Sequence, residues 1–214
     1  MDAGLVAHWQ FKNSLADSVG RVSISCQSPV SYVQNHQGQA NDALGPLGTN
    51  QCSVPTTPYF NFPGPFTVSV WINCISIKNS YEAIFDFGNG VSTDNLWFGF
   101  YGTSARLSYW NYAPSGLIVM YSTTYLTLNT WNFVTLTYDG KVYTLYINGV
   151  SDISKEMNPP KNVQRSKNYI GSTNWGTWQS TTNTLIEDFR IYSRALSLVE
   201  IDNLKKGKQN SRPF

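Results

Sequence analysis

Residues 185–206, LIEDFRIYSRALSLVEIDNLKK, decide how this chain folds. Leu185 to Tyr192 reads as an apolar-alternating strand, and Ser193-Arg194 turns the chain out of it. A short helix is predicted over Ser197–Lys206. Ser197 with Glu200 three residues on makes a capping box, and Leu196 and Ile201 hold the two positions of a hydrophobic staple. Lys205, Lys206 and Gly207 close the helix with cations and a glycine in the order that suits its C-terminus. Ile186 and Phe189 cannot both face the core of a regular strand. A β-bulge is therefore expected near Glu187-Asp188, where it re-aims side chains.

Working outward, strand signals recur every 8–15 residues with turn residues between them, which is the rhythm of an all-β fold. Phe66, Val68, Val70 and Ile72 alternate with Thr67, Ser69 and Trp71. Val134, Leu136 and Tyr138 alternate with Phe133, Thr135 and Thr137. Asp139-Gly140 is read as a two-residue primed turn, which sets Leu136 opposite Tyr143 and Val134 opposite Leu145. Asn148-Gly149 starts a second such turn, and the segments around Gly88-Asn89-Gly90 and Asp94-Asn95 form a further hairpin. No βαβ alternation occurs, so the fold class is all-β: an antiparallel two-sheet β-sandwich with one short C-terminal helix. Residues 1–206 form a single domain and residues 207–214, GKQNSRPF, a loose tail. The helix, with Leu198, Ile201 and Leu204 on its apolar face, is expected to lie across a sandwich edge and shield it.

The ordered motifs resemble the laminin-G-like, concanavalin A-like jelly-roll modules. Trp131-Asn132-Phe133-Val134 through Tyr138-Asp139-Gly140 is similar to the family's W-x-x-V…Y-D-G hairpin. Asn168-Tyr169-Ile170-Gly171 resembles its y-I-G strand, and 188–201 its D-x-R-I-Y-x-R-A-L-S-x-x-E-I terminus. At the front, Gly4-Leu5-Val6-Ala7-His8-Trp9-Gln10-Phe11 with Leu15-Ala16-Asp17-Ser18 looks like the family opening, and Phe66–Ile72 like its F-T-v-s-a-W-v strand. Lys12 departs from it, standing where an acidic residue often follows. The resemblance places Trp9, Trp71 and Trp131 in the core. It leaves function open, because this fold hosts lectins, receptor ligands, carriers and glycoside hydrolases.

Composition narrows the function. Charged residues are 13% of the 214, about half the usual share, while aromatics reach 14%. The net charge of +2 is spread thinly, so no basic stripe exists for nucleic acid. No apolar run approaches the roughly 18–20 residues that span a bilayer, so no membrane insertion is expected. Met1-Asp2 is expected to lead straight into the first strand, and no signal peptide is expected in this stretch. The expected setting is a module of a larger secreted or surface protein. Cys26, Cys52 and Cys74 fit one disulfide and a free thiol, or three buried reduced thiols.

Catalysis finds no support. Related β-glucanases carry E-x-D-x-x-E or E-x-D-x-E, with acid and nucleophile about 5–5.5 Å apart on one strand. Here Glu82, Glu156, Glu187 and Glu200 show no such spacing, and adjacent Glu187 and Asp188 are expected to face opposite sides. G-x-S-x-G is absent as well, and His8 reads as a satisfied cross-sheet residue. The expected role is a non-catalytic binding module. Its partner is a glycan or glycoprotein; a protein-binding adhesion or assembly module is the second reading, and a glycoside hydrolase-like domain the third.

Two constellations carry the site expectations. Trp97, Tyr101, Tyr109, Trp110, Tyr112, Trp175 and Trp178 lie in or beside polar, turn-rich segments. Flat rings stack on the C–H faces of sugars while amides take up hydroxyls. The ligand-binding candidates are therefore Asn174, Trp175, Trp178 and Gln179, with Trp110 or Tyr112 as an opposite wall. Such loops suit protein recognition equally. The family resemblance also implies a structural calcium, Ca2+, between the N-terminal loop and the last strand. Asp17 and Asp188 stand at its side-chain ligand positions, with backbone carbonyls completing the oxygens.

Overall fold

The computed structural model describes residues 3–20, 22–176 and 183–207. Its strands begin with β1 (Leu5–Trp9), β2 (Ser25–Cys26), β3 (Tyr32–Val33), β4 (Ala43–Leu44) and β5 (Cys52–Val54). They continue with β6 (Phe66–Ser76), β7 (Ala83–Gly88), β8 (Leu96–Phe100), β9 (Arg106–Ala113) and β10 (Gly116–Tyr125). The remainder are β11 (Trp131–Tyr138), β12 (Val142–Ile147), β13 (Val150–Glu156), β14 (Lys167–Ile170) and β15 (Asn183–Tyr192), followed by helix α1 (Leu198–Lys205). One sheet runs β13-β12-β11-β6-β15-β4-β3 with β1 added on β15. The other runs β10-β9-β8-β7-β14-β5-β2. Neighbours pair antiparallel throughout, giving the two-sheet sandwich that the alternation predicts.

The core lies between the sheets. Val68, Val70, Ile72, Val134, Leu136 and Leu145 from the first meet Phe85, Phe87, Phe98, Leu107 and Met120 from the second. Period-2 alternation then sends the intervening side chains to the two outer faces.

The β11–β12 hairpin is shifted by two residues from expectation. Tyr138 opposes Tyr143, Leu136 opposes Leu145 and Val134 opposes Ile147. Asp139 starts the turn instead of sitting at its tip, because its carboxylate accepts the N–H groups of Lys141 and Val142, both at 2.8 Å. A shift of two preserves parity, so Val134, Leu136 and Leu145 stay in the core. The Asn148-Gly149 turn forms as predicted, between the paired Ile147 and Val150.

The predicted bulge is present. Pairing of β15 with β6 slips between Glu187 and Arg190, and Asp188 takes a left-handed φ of 53°. Phe189 thereby enters the core. The bulge also overturns the expectation that Glu187 and Asp188 face opposite sides. Glu187 reaches His36 and Asp188 reaches His8, both on the outer side of the first sheet.

α1 keeps its capping box: Ser197 Oγ accepts the Glu200 N–H, and Glu200 Oε2 accepts the Ser197 N–H at 2.9 Å. Its position differs from the expected edge. Ile201 and Leu204, with the staple residue Leu196, pack on Trp71, Phe133 and Tyr192, on the outer face of the first sheet. Leu198 is 54% exposed and takes no part. Trp9 is in the intersheet core, whereas Trp71 and half-buried Trp131 belong to this outer cluster. The outward-facing apolar residues of β6 and β11 needed a cover, and the staple supplies it.

Two further features stiffen the second sheet. Cys26 and Cys52, directly opposed on β2 and β5, form a disulfide, while Cys74 is a buried free thiol. Arg165 is fully enclosed, its guanidinium donating to the carbonyls of Phe60, Asn61, Asp94, Lys161 and Val163. It fastens the irregular segment after β13 to the turn at Pro58–Asn61.

Candidate functional site

Because Phe85, Phe87, Leu96 and Phe98 point into the core, Asp86 and Trp97 point to the outer face of the second sheet. Tyr169, Asp86, Trp97 and Trp110 stand in register across β14, β7, β8 and β9. Trp97 is shut from solvent and packs on Trp110 with centroids 5.0 Å apart. Trp110 and Tyr112, two apart on β9, share this face.

Trp175 arrives from the segment after β14 and joins them. Its ring lies 6.4 Å from Trp110, nearly perpendicular, and 5.8 Å from Tyr112. The two segments that the sequence nominated separately thus meet on one face. Asn174 is present too, but it works as an anchor: its Nδ2 donates to the Lys167 carbonyl and its backbone N–H to Asp86. Trp178 and Gln179 lie outside the described residues.

Asp86 explains why Trp175 is placed there. Its carboxylate accepts Asn95 Nδ2 at 2.9 Å, Thr173 Oγ1 at 3.0 Å and the Asn174 N–H at 2.7 Å. Complete burial pushes its pKa up to about 6, against the lowering effect of these donors. Glu82 plays the same part at the neighbouring loop. It accepts the N–H groups of Lys78 and Asn79 at 2.8 and 2.9 Å, and that of Asn183 at 3.3 Å. Burial raises its pKa, opposed by these same bonds. The loop it secures presents Tyr81, whose ring packs on Trp110 at 5.3 Å and on Tyr101 at 5.8 Å. Tyr101 in turn meets Tyr121 at 4.6 Å. Sequence reasoning missed Tyr81 and Tyr121, since neither position signals that its ring would join this row.

The calcium candidates behave differently. Asp17 and Asp188 both contact His8, one at its backbone N–H and the other at its ring. Asp17 Oδ1 accepts the N–H groups of His8 and Val19, and Oδ2 that of Val22. Asp188 Oδ1 lies 2.6 Å from His8 Nε2 and 2.9 Å from Arg190 Nη2. Burial would raise the Asp188 pKa, but the His8 hydrogen bond and the Arg190 charge outweigh it and hold it below the ordinary value. A calcium site needs six to eight oxygens aimed at one point. These carboxylates are occupied by N–H donors and a guanidinium, so the residues as arranged do not fit the ion. Among the described residues no group of three or more His, Cys, Asp or Glu side chains is placed to hold a metal.

A separate cleft of about 420 Å³ beside the disulfide is lined by uncharged residues, among them Gln27, Ser28, Leu47, Thr49 and Asn50. No aromatic ring lines it.

The sequence model of the concanavalin A-like lectin/glucanase superfamily, in its laminin-G form, matches residues 47–202. The chain belongs to this superfamily. No curated protein matches it in sequence. Among solved structures, it is similar to domain 4 of AbnA, an extracellular arabinanase from Geobacillus stearothermophilus, in complex with arabinotriose. The TM-score is 0.74 at 21% identity, covering 96% of this chain and 100% of that domain. It is also similar to the ligand-binding domain of botulinum neurotoxin serotype D in complex with N-acetylneuraminic acid. There the TM-score is 0.70 at 17% identity, covering 95% of this chain and 51% of the other. The binding domain of Paraclostridial Mosquitocidal Protein 1 gives 0.70 at 18%, with 95% and 52% covered. The chain thus spans about half the length of the toxin domains, and at these identities the likeness is one of fold. Among the described residues no helix is long and apolar enough to cross a membrane.

Proposed function

We propose that this protein is a non-catalytic glycan-binding module whose contact surface is the ring wall of Trp110, Tyr112 and Trp175. The observation that carries it is the docking of Trp175 against two β9 rings, through a loop fixed to the sheet by Asp86. Rings with one face on protein and another toward solvent suit the apolar faces of sugars. Solved relatives of the fold hold arabinotriose and N-acetylneuraminic acid, which supports the reading. Asp86, the carboxylate beneath the rings, is enclosed and saturated by donors, an arrangement for holding a loop and not for attacking a bond. The disulfide is at home in an oxidising compartment and supports a secreted or surface setting.

The test is a glycan array, followed by titration of its hits against Trp110→Ala and Trp175→Ala, each checked for an unchanged melting temperature. Loss of one ring is expected to weaken binding by about tenfold, on the order of 1–2 kcal/mol. A blank array with a protein captured by the same face would favour the adhesion reading. Unchanged affinity in both variants would place the site elsewhere.

A further inference from the structure

The ring row does not stop at Trp110. Tyr81 joins Trp110 to Tyr101, and Tyr101 leads to Tyr121. Neighbouring centroids along the whole row, from Tyr112 to Tyr121, stand 4.6–6.4 Å apart, on the scale of successive units of a sugar chain.

Tyr81 is the link, and it is held at a cost. Its φ is +65°, a left-handed conformation that disfavours a bulky side chain. The Tyr81 N–H donates to the Gly102 carbonyl, and Glu82 secures the preceding turn. The strained backbone puts one ring where it closes the gap between two groups. Tyr101, 37% exposed, keeps this stretch open to solvent.

The row ends on a cation. Arg106 lays its guanidinium over Tyr121, 5.4 Å from the ring centroid, and Nε donates to the Ser122 carbonyl. Among the described residues no carboxylate pairs with Arg106. Its outer nitrogens form a planar fork of the kind that matches a carboxylate or sulfate.

Resting on the glycan reading above, we infer a second subsite of Tyr81, Tyr101, Tyr121 and Arg106. It takes an acidic unit of a linear glycan whose preceding units lie on Trp110 and Trp175. Carboxylate and sulfate groups share the recognising chemistry, so the ligand is an anionic oligosaccharide read along its length.

The experiment uses an array pairing neutral linear glycans with uronic-acid and sulfated counterparts of equal length. Hits are titrated against the parent chain, Arg106→Gln, Arg106→Lys and Tyr101→Ala. The acidic member of a pair is expected to bind about tenfold tighter, an advantage lost in Arg106→Gln and reduced in Arg106→Lys. Added salt should shrink that advantage. Tyr101→Ala, at an exposed position, should weaken long chains while sparing disaccharides, so the proposal is tested even where an arginine variant fails to fold. Preference for uronic acids over sulfates, or the reverse, names the anion. An acidic-to-neutral ratio unchanged by Arg106→Gln, or long-chain binding unchanged by Tyr101→Ala, overturns the subsite. Where Trp110→Ala still weakens neutral glycans, the parent reading survives that failure; binding of neither class overturns both.

Discussion

The backbone N–H of Asn174 donates to Oδ2 of Asp86 at 2.7 Å, although 88 positions separate the two residues. The Trp175 segment is therefore fixed by a carboxylate that the sheet itself buries. Its pKa, raised to about 6 in the folded chain from 3.8, makes this a titratable fastening. The folded state holds this proton more tightly, so the group's contribution is fullest below about pH 4 and is lost as pH rises through 6. Between pH 7 and pH 4 the parent should gain on the order of 2–3 kcal/mol relative to Asp86→Asn. Urea unfolding of both chains across that range measures it. A flat difference would reject the assignment.

Arg165 should be among the most damaging single positions in the chain. Its guanidinium is enclosed and serves five backbone carbonyls, and burial pulls its pKa down to about 10. Arg165→Leu strands those carbonyls and should cost about 3–5 kcal/mol. Arg165→Lys should restore little, because a single ammonium cannot serve carbonyls on three sides. Thermal melts decide the point, and a loss below ~1 kcal/mol would mean water replaces the guanidinium easily.

The three cysteines should separate cleanly. Cys26 and Cys52 close a loop across 26 positions, so replacing both by Ser should cost about 3 kcal/mol through chain entropy. Burial pushes the Cys74 thiol up to about 11. An alkylating reagent near pH 8 should therefore leave Cys74 unlabelled until denaturant is added. Fast labelling of the folded chain would contradict its enclosure.

Calcium is decided by a chelator. With Arg190 and His8 on Asp188, EDTA should leave the melting temperature of the parent unchanged. Asp188→Asn should destabilise the fold by about 1–3 kcal/mol, from the broken charge-assisted bonds. A chelator-sensitive melt would show instead that the ion displaces Arg190 and would restore the calcium expectation.

Much of the frame was legible because it rests on local rules. The capping box at Ser197 and Glu200, the bulge demanded by Ile186 and Phe189, and the Asn148-Gly149 turn are each decided within a few residues. The hairpin register was missed because Asp139 has two chemistries at a turn, tip residue or Asx acceptor, and periodicity cannot choose between registers two apart. The helix was misplaced for a related reason. Alternation on β6 and β11 shows that Trp71 and Phe133 leave the core, but not what covers them. At the site, Trp110, Tyr112 and Trp175 were legible as rings in polar context. Tyr81 was not, since its place depends on a buried glutamate and a left-handed φ that no pattern announces. Asp17 and Asp188 both reach His8, yet Arg190, two residues on from Asp188, claims the charge that a cation would need.

Trp97 and Trp110, with centroids 5.0 Å apart and planes inclined at 44°, are close enough for their ultraviolet transitions to mix. A pair neither parallel nor perpendicular gives its own circular-dichroism signature. Only one of the two indoles can meet solvent, so anything laid on Trp110 perturbs half of a coupled pair. The protein carries an intrinsic optical gauge of whatever settles on that face, readable without label, tag or added dye.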